Sequence, residues 1–94
     1  MNMKIKTVDF GKQMRKDLKL AKKRGYDLSK LEEVIDLLCT FQTLPEKYKD
    51  HSLTGNYKEY RECHLEPDWL LIYKIENEKL VLILFRTGSH SDLF

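Results

Sequence analysis

The residues best suited to chemistry in this sequence are its three histidines, all in the second half of the chain. His51 sits in Lys49-Asp50-His51-Ser52-Leu53. His64 opens His64-Leu65-Glu66-Pro67-Asp68-Trp69, and His90 closes Arg86-Thr87-Gly88-Ser89-His90. Histidine titrates near neutrality, so each can give or take a proton at cellular pH. Together with Asp68, Arg86 and Trp69 they suit the cutting of RNA without a metal. That chemistry needs a base for the 2′ proton, an acid for the 5′-oxygen leaving group, and a cation to steady charge on phosphorus. His or Asp can be the base, a protonated His the acid, and Arg a bidentate clamp. Trp69 or Phe94 can stack on a base.

Each of these residues also has a plainer reading. A lone histidine at a strand end is more often structural than catalytic, and a tryptophan is more often core than a stacking platform. Arg86 can pair with Asp92 or Glu66. Phe94 can be a frayed terminus. Three histidines with Asp68 can be read as a zinc site, but no short His or Cys/His ligand spacing supports it. Cys39 and Cys63 do not form a C-x-x-C pair and read as reduced core thiols.

Convergence depends on the elements that carry these residues. Met3 to Val8 alternates and reads as a strand. Asp9 then caps a helix running to Arg24, where Gly25 stops it. Ser29-Lys30-Leu31-Glu32 has the form of a capping box for a second helix ending near Gln42. Thr43 to Tyr57 is a loop carrying His51, with Leu53-Thr54-Gly55 able to pair as an edge strand. Strands follow over Tyr57–Leu65, Trp69–Ile75 and Leu80–Phe85. The last two are almost continuously apolar, as central strands are. Asn77, in the turn between them, tolerates a left-handed conformation. The sum is an α+β domain, an antiparallel sheet with a two-helix hairpin on one face. In such a meander the turn holds His64 near Asp68 and Trp69. Arg86 ends the last strand at the same sheet edge, and Gly88 allows His90 to fold back over it.

Ninety-four residues, 41% of them apolar, suggest a single domain spanning 1–94. No apolar run is long enough for a membrane span, and the first residues lack the apolar core of a secretory leader, so a cytoplasmic location is expected. The net charge of +2 hides an asymmetry. Phe10 to Arg24 holds seven bases against one acid, a local +6, which leaves −4 for the rest. A basic stripe on a near-neutral protein is either a solvated helix face or a directed electrostatic surface.

Three stretches carry a resemblance: Tyr48 to Gly55, Tyr60 to Lys74, and Arg86 to Phe94. Together they resemble the YafQ-type toxins of bacterial toxin–antitoxin systems, in the RelE/ParE superfamily, over nearly the whole chain. The resemblance implies a RelE-like fold and a ribosome-dependent endoribonuclease that cuts mRNA in the A site without a cofactor. It places His51, His64, Asp68 and His90 at active-site positions and Arg86 at the phosphate-stabilising position. Trp69 and Phe94 fall at mRNA-contacting or supporting positions. His90 is the expected general acid. Asp68 is the first choice for the base, with His64 and His51 as alternatives. Lys16, Lys19 and Lys23 become a face for ribosomal RNA. The expected partners are a RelB/DinJ-type antitoxin, the ribosome and mRNA, with operator DNA contacted only through the antitoxin complex. The alternative is a non-catalytic inhibitor of DNA gyrase resembling the ParE branch, which has no need of three histidines at one sheet edge. A third reading, a protein-interaction module, requires the histidines to lie apart.

Overall fold

The computed structural model describes residues 4–94. Its elements run β1 (Thr7–Phe10), α1 (Lys12–Lys23), α2 (Leu28–Phe41), β2 (His51–Ser52), β3 (Arg61–Glu66), β4 (Trp69–Glu76), β5 (Val81–Gly88) and α3 (His90–Leu93). Short 3-10 turns at Glu46–Tyr48 and Gly55–Tyr57 flank β2. The sheet order is β1-β5-β4-β3-β2. The apolar strands β4 and β5 are interior, as their composition requires.

β1 begins later than the alternating pattern suggests, and Met3 lies outside the described residues. Asp9 is not a helix cap. It sits inside β1, and Gly11 takes the N-cap position without a side-chain bond. β1 pairs with β5 from Thr7↔Val81 to Phe10↔Leu84, and the pair is parallel. The sheet is therefore mixed where antiparallel pairing was expected. The long connection that a parallel pair needs is supplied by the helices and the meander between them.

Gly25 stops α1 as expected. It takes φ +78°, its N–H bonds to the Lys22 carbonyl (3.1 Å), and the Tyr26 N–H reaches Ala21 (3.0 Å). That is a Schellman ending, which favours glycine because the left-handed conformation costs it nothing. The cap of α2 is Asp27, two residues earlier than the expected Ser29. The Asp27 carboxylate accepts from both the Ser29 N–H (3.0 Å) and the Ser29 hydroxyl (2.6 Å). The serine is thus a donor to the cap and not the cap itself.

Met14, Leu31, Val34 and Leu38 of the helices meet Cys63, Leu65, Trp69, Leu71, Tyr73, Leu82 and Leu84 of the sheet in one core. The two-helix layer covers a single face, because these strand positions alternate with period two. Cys63 is fully buried, and burial pushes its thiol well above the ordinary range. Both cysteines are free.

The meander differs from its sequence reading at its margins. Tyr57 belongs to a 3-10 turn, and β3 begins at Arg61. Leu53 to Gly55 is not a strand, and the edge pairing falls on His51–Ser52. Leu80, not Asn77, takes the left-handed conformation before β5 (φ +54°). β5 extends three residues beyond Phe85, and the chain then turns into α3.

Candidate active site

The face of the sheet turned away from the helices carries the titratable residues. Register sets their order. His51, Glu62, Ile72 and Arg86 stand in one row across β2, β3, β4 and β5. His64, Leu70 and Gly88 form the next row toward the sheet end. Arg86 owes its place to a bulge. Ile72 pairs with Arg86 while Tyr73 pairs with Leu84, so Phe85 is an extra residue on β5. A bulge re-aims the side chains that follow it, and this one turns Arg86 to the row of Glu62. The displaced Phe85 ring stacks on Tyr60 at 4.6 Å.

His51 is held by its neighbours. The Asp50 carboxylate accepts from Arg61 Nε (3.0 Å), Arg61 Nη2 (2.9 Å) and the buried Tyr73 hydroxyl (2.5 Å). These bonds fasten the loop to β3 and β4. Burial and the Asp50 charge push the Tyr73 hydroxyl well above its ordinary range, so it remains a donor. His51 Nδ1 lies 2.9 Å from the Lys49 carbonyl. A carbonyl only accepts, so this nitrogen carries the hydrogen.

The three imidazoles form a line. Ring centroids are 6.5 Å apart for His51 and His64, and 5.9 Å for His64 and His90. Glu62 lies between the first two, its Oε1 3.5 Å from His51 Nε2 and 3.8 Å from His64 Nε2. At the other end Asp68 Oδ1 accepts from both the His90 backbone N–H (2.9 Å) and ring Nδ1 (2.6 Å). These two bonds, the backbone one first, hold the Asp68 carboxyl below its usual range. Nδ1 of His90 therefore carries a proton toward Asp68, and Nε2 is the nitrogen left for a substrate.

α3 fixes His90 at its first position. Ser89 and Asp92 form a capping box, with Asp92 Oδ2 accepting from Ser89 N–H (2.9 Å) and Ser89 Oγ from Asp92 N–H (3.2 Å). Arg24, from the end of α1, binds the same carboxylate at 2.6 and 3.2 Å. That pairing, more than the backbone bond, holds Asp92 far below the usual carboxylate range. A β-carbon on Gly88 would lie 2.9 Å from Asp92 Oδ2, so glycine is what lets the cap close.

Two expected contacts differ. Arg86 pairs with neither Asp92 nor Glu66. Its Nε and Nη2 donate to Asp17 of α1 (2.7 and 3.3 Å). Asp17 also accepts the Thr87 N–H (3.1 Å), which lies past the last residue of β5 that β1 covers. Trp69 is a correction to its expected place among RNA contacts. It is 1% exposed, its Nε1 donates to Thr87 Oγ1 (2.9 Å) and its ring meets Tyr26 at 4.9 Å. A base cannot stack on it, and it serves as packing beneath the site. Phe94 is 66% exposed at the open end of α3. Lys16, Lys19 and Lys23 are exposed on α1.

The sequence reading passed over Glu62, Asp17 and Asp50. Glu62 precedes His64 by two residues, which on a strand puts both on one face, and that spacing was the available signal. The partners of Asp17 and Asp50 lie at sequence distances no local pattern spans. Among the described residues no three His, Cys, Asp or Glu side chains are grouped to hold a metal ion. Asp68 faces His90, while His51 and His64 face Glu62.

A mixed sheet backed by a helical hairpin is the α+β, RelE-like fold of small bacterial toxins. The chain matches the family model for the bacterial toxin of type II toxin–antitoxin systems, YafQ, over residues 6–94, and belongs to that family. It is 46% identical over 88 residues to the mRNA interferase toxin YafQ of Escherichia coli K12, covering 93% of this chain and 94% of that protein. It superposes on E. coli YafQ from the DinJ–YafQ toxin–antitoxin complex with a TM-score of 0.86 at 43% identity, covering 98% and 99% of the two chains. A metal-bound toxin from Helicobacter pylori gives a TM-score of 0.87 at 49% identity, covering 98% and 100%.

Proposed function

We propose that this chain is a ribosome-dependent endoribonuclease that cuts mRNA by attack of the 2′-hydroxyl on the adjacent phosphate. The observation that carries the reading is the division of the histidine line into two differently equipped ends. Asp68 accepts the Nδ1–H of His90 and leaves Nε2 toward the substrate, where the protonated ring can give its second proton to the 5′-oxygen. His51 and His64 sit at the other end beside a carboxylate, equipped to take one. Asp68 was the first choice for the base, but its accepting oxygen is engaged twice by His90. Its role is to orient, and the base is His51 or His64. Arg86 stands in the same row and steadies phosphate charge after yielding part of its hold on Asp17. Phe94 follows His90 by one helical turn, its N–H bonded to the His90 carbonyl, and is the residue to stack on a base.

The exposed lysines of α1 fit ribosomal RNA, since Asp17, the helix's one acid, is buried against Arg86 and leaves the solvent face basic. The antitoxin is a DinJ-like chain, as for the E. coli relative. Operator DNA is reached through that complex, and the site of action is the cytoplasm, where ribosomes are. No helix among the described residues is long and apolar enough to cross a membrane.

Primer extension on a defined mRNA, with and without ribosomes, tests the reading, with DNA gyrase supercoiling measured in parallel. Cuts that depend on ribosomes, with gyrase unaffected, are expected. Gyrase inhibition without RNA cleavage would overturn the reading in favour of the ParE-like alternative.

A further inference from the structure

We propose that Glu62 is a positioning residue of this site: its carboxylate faces His51 and His64 together and supplies the counter-charge when either ring takes the 2′ proton. The inference rests on the endoribonuclease reading and deepens it.

The Glu62 side chain is only 8% exposed. A buried carboxylate is costly unless a cation or donors face it. The two nearby arginines are committed elsewhere. Arg61 donates to Asp50 and Ser52, and Arg86 turns Nε and Nη2 to Asp17. Among the described residues both ion pairs of Glu62 are to histidines. Other charges on this face lie farther along it: Asp68 with His90 at one end, and Lys74 with Glu59 and Glu76 at the other.

The contacts bear on the ring once it has taken a proton. The hydrogen on Nδ1 of His51 goes to the Lys49 carbonyl. In the neutral ring Nε2 is then a bare lone pair facing a carboxylate, which is unfavourable. In the imidazolium Nε2–H faces the same carboxylate, which is favourable. The geometry thus complements the ring after proton uptake, the state reached in the first step. At 3.5 and 3.8 Å the contacts are longer than hydrogen bonds, so neither Nε2 is consumed before the substrate arrives.

The step balances without a co-reactant. The 2′ O–H bond breaks and its proton goes to Nε2 of His51 or His64. The 2′-oxygen bonds to phosphorus, the bond from phosphorus to the 5′-oxygen breaks, and that oxygen takes a proton from His90. Exchange with solvent resets the rings.

The test is single-turnover cleavage of ribosome-bound mRNA as a function of pH for wild type, Glu62→Gln and Glu62→Asp, with ribosome affinity and thermal midpoint measured on each. Removing an anion beside a base weakens the base. Glu62→Gln should therefore lower the plateau rate about tenfold or more and move the acid limb to lower pH. Ribosome affinity should stay within about twofold of wild type. Glu62→Asp, which keeps the charge, should retain the position of the limb. A wild-type profile in Glu62→Gln overturns the proposal. So does an equal loss in both variants with an unmoved limb, which marks a purely structural residue. Failure of wild type itself to cut would instead overturn the endoribonuclease reading.

Discussion

At the scale of single residues, the site depends on which nitrogen of each ring faces which oxygen. Asp68→Asn tests the orienting bond to His90. Asparagine can still accept the backbone N–H but removes the carboxylate charge that faces Nδ1 of His90. Cleavage on ribosomes should fall about 10- to 100-fold with ribosome affinity unchanged, and an unaltered rate would return Asp68 to a surface residue. The histidines and Asp68 were legible in the sequence because they fall in the last residues of strands and in the turns, where a meander gathers them. Glu62 was not, since one more polar residue on a mixed strand carries no signal of burial. Trp69 misled for the opposite reason: an aromatic beside an active-site aspartate suits stacking, and only its contact with Tyr26 and Thr87 shows it facing inward.

At the scale of elements, the four residues of α3 are held by a cap and a cross-chain pair, not by length. Gly88→Ala should force Asp92 away from Ser89, loosen His90 and lower the thermal midpoint, with a cost on the order of 1–3 kcal/mol. Retention of full stability and full cleavage would show that the close approach is not needed. Asp92 also sets a pH dependence. Its folded-state carboxyl is held down chiefly by Arg24, so it stabilises the fold at pH above its unfolded value near 4. That stability is lost as pH falls through the lower folded value. Asp92→Asn should therefore flatten the acid side of the curve of thermal midpoint against pH, and an unchanged slope would contradict the pairing. Here the sequence was partly legible. Gly88 was read as a bend and Gly25 as a stop, since glycine marks backbone demands locally. The bulge at Phe85 was not legible, because it arises from the match of two strands. Without it Arg86 would alternate to the helix face.

At the scale of the whole molecule, charge is divided by place: a basic α1 on one side and the histidine line across the open sheet face. The fold class was legible from the order of periodic segments, but the parallel β1–β5 pair was not, since pairing direction between chain-distant strands leaves no local pattern. Reversing Lys16, Lys19 and Lys23 to Glu should weaken ribosome binding and flatten its dependence on salt, because fewer counterions are released. Binding with an unchanged salt slope would leave the stripe a solvated surface. The central claim is that the RNA's own 2′-hydroxyl is the nucleophile, activated at one end of the line while His90 protonates the leaving group. Its most direct test is an mRNA carrying a single 2′-deoxynucleotide on the 5′ side of the mapped cut, presented on ribosomes. The account predicts binding as before and no cleavage at that position; cleavage there at the rate of the all-ribose message would contradict it.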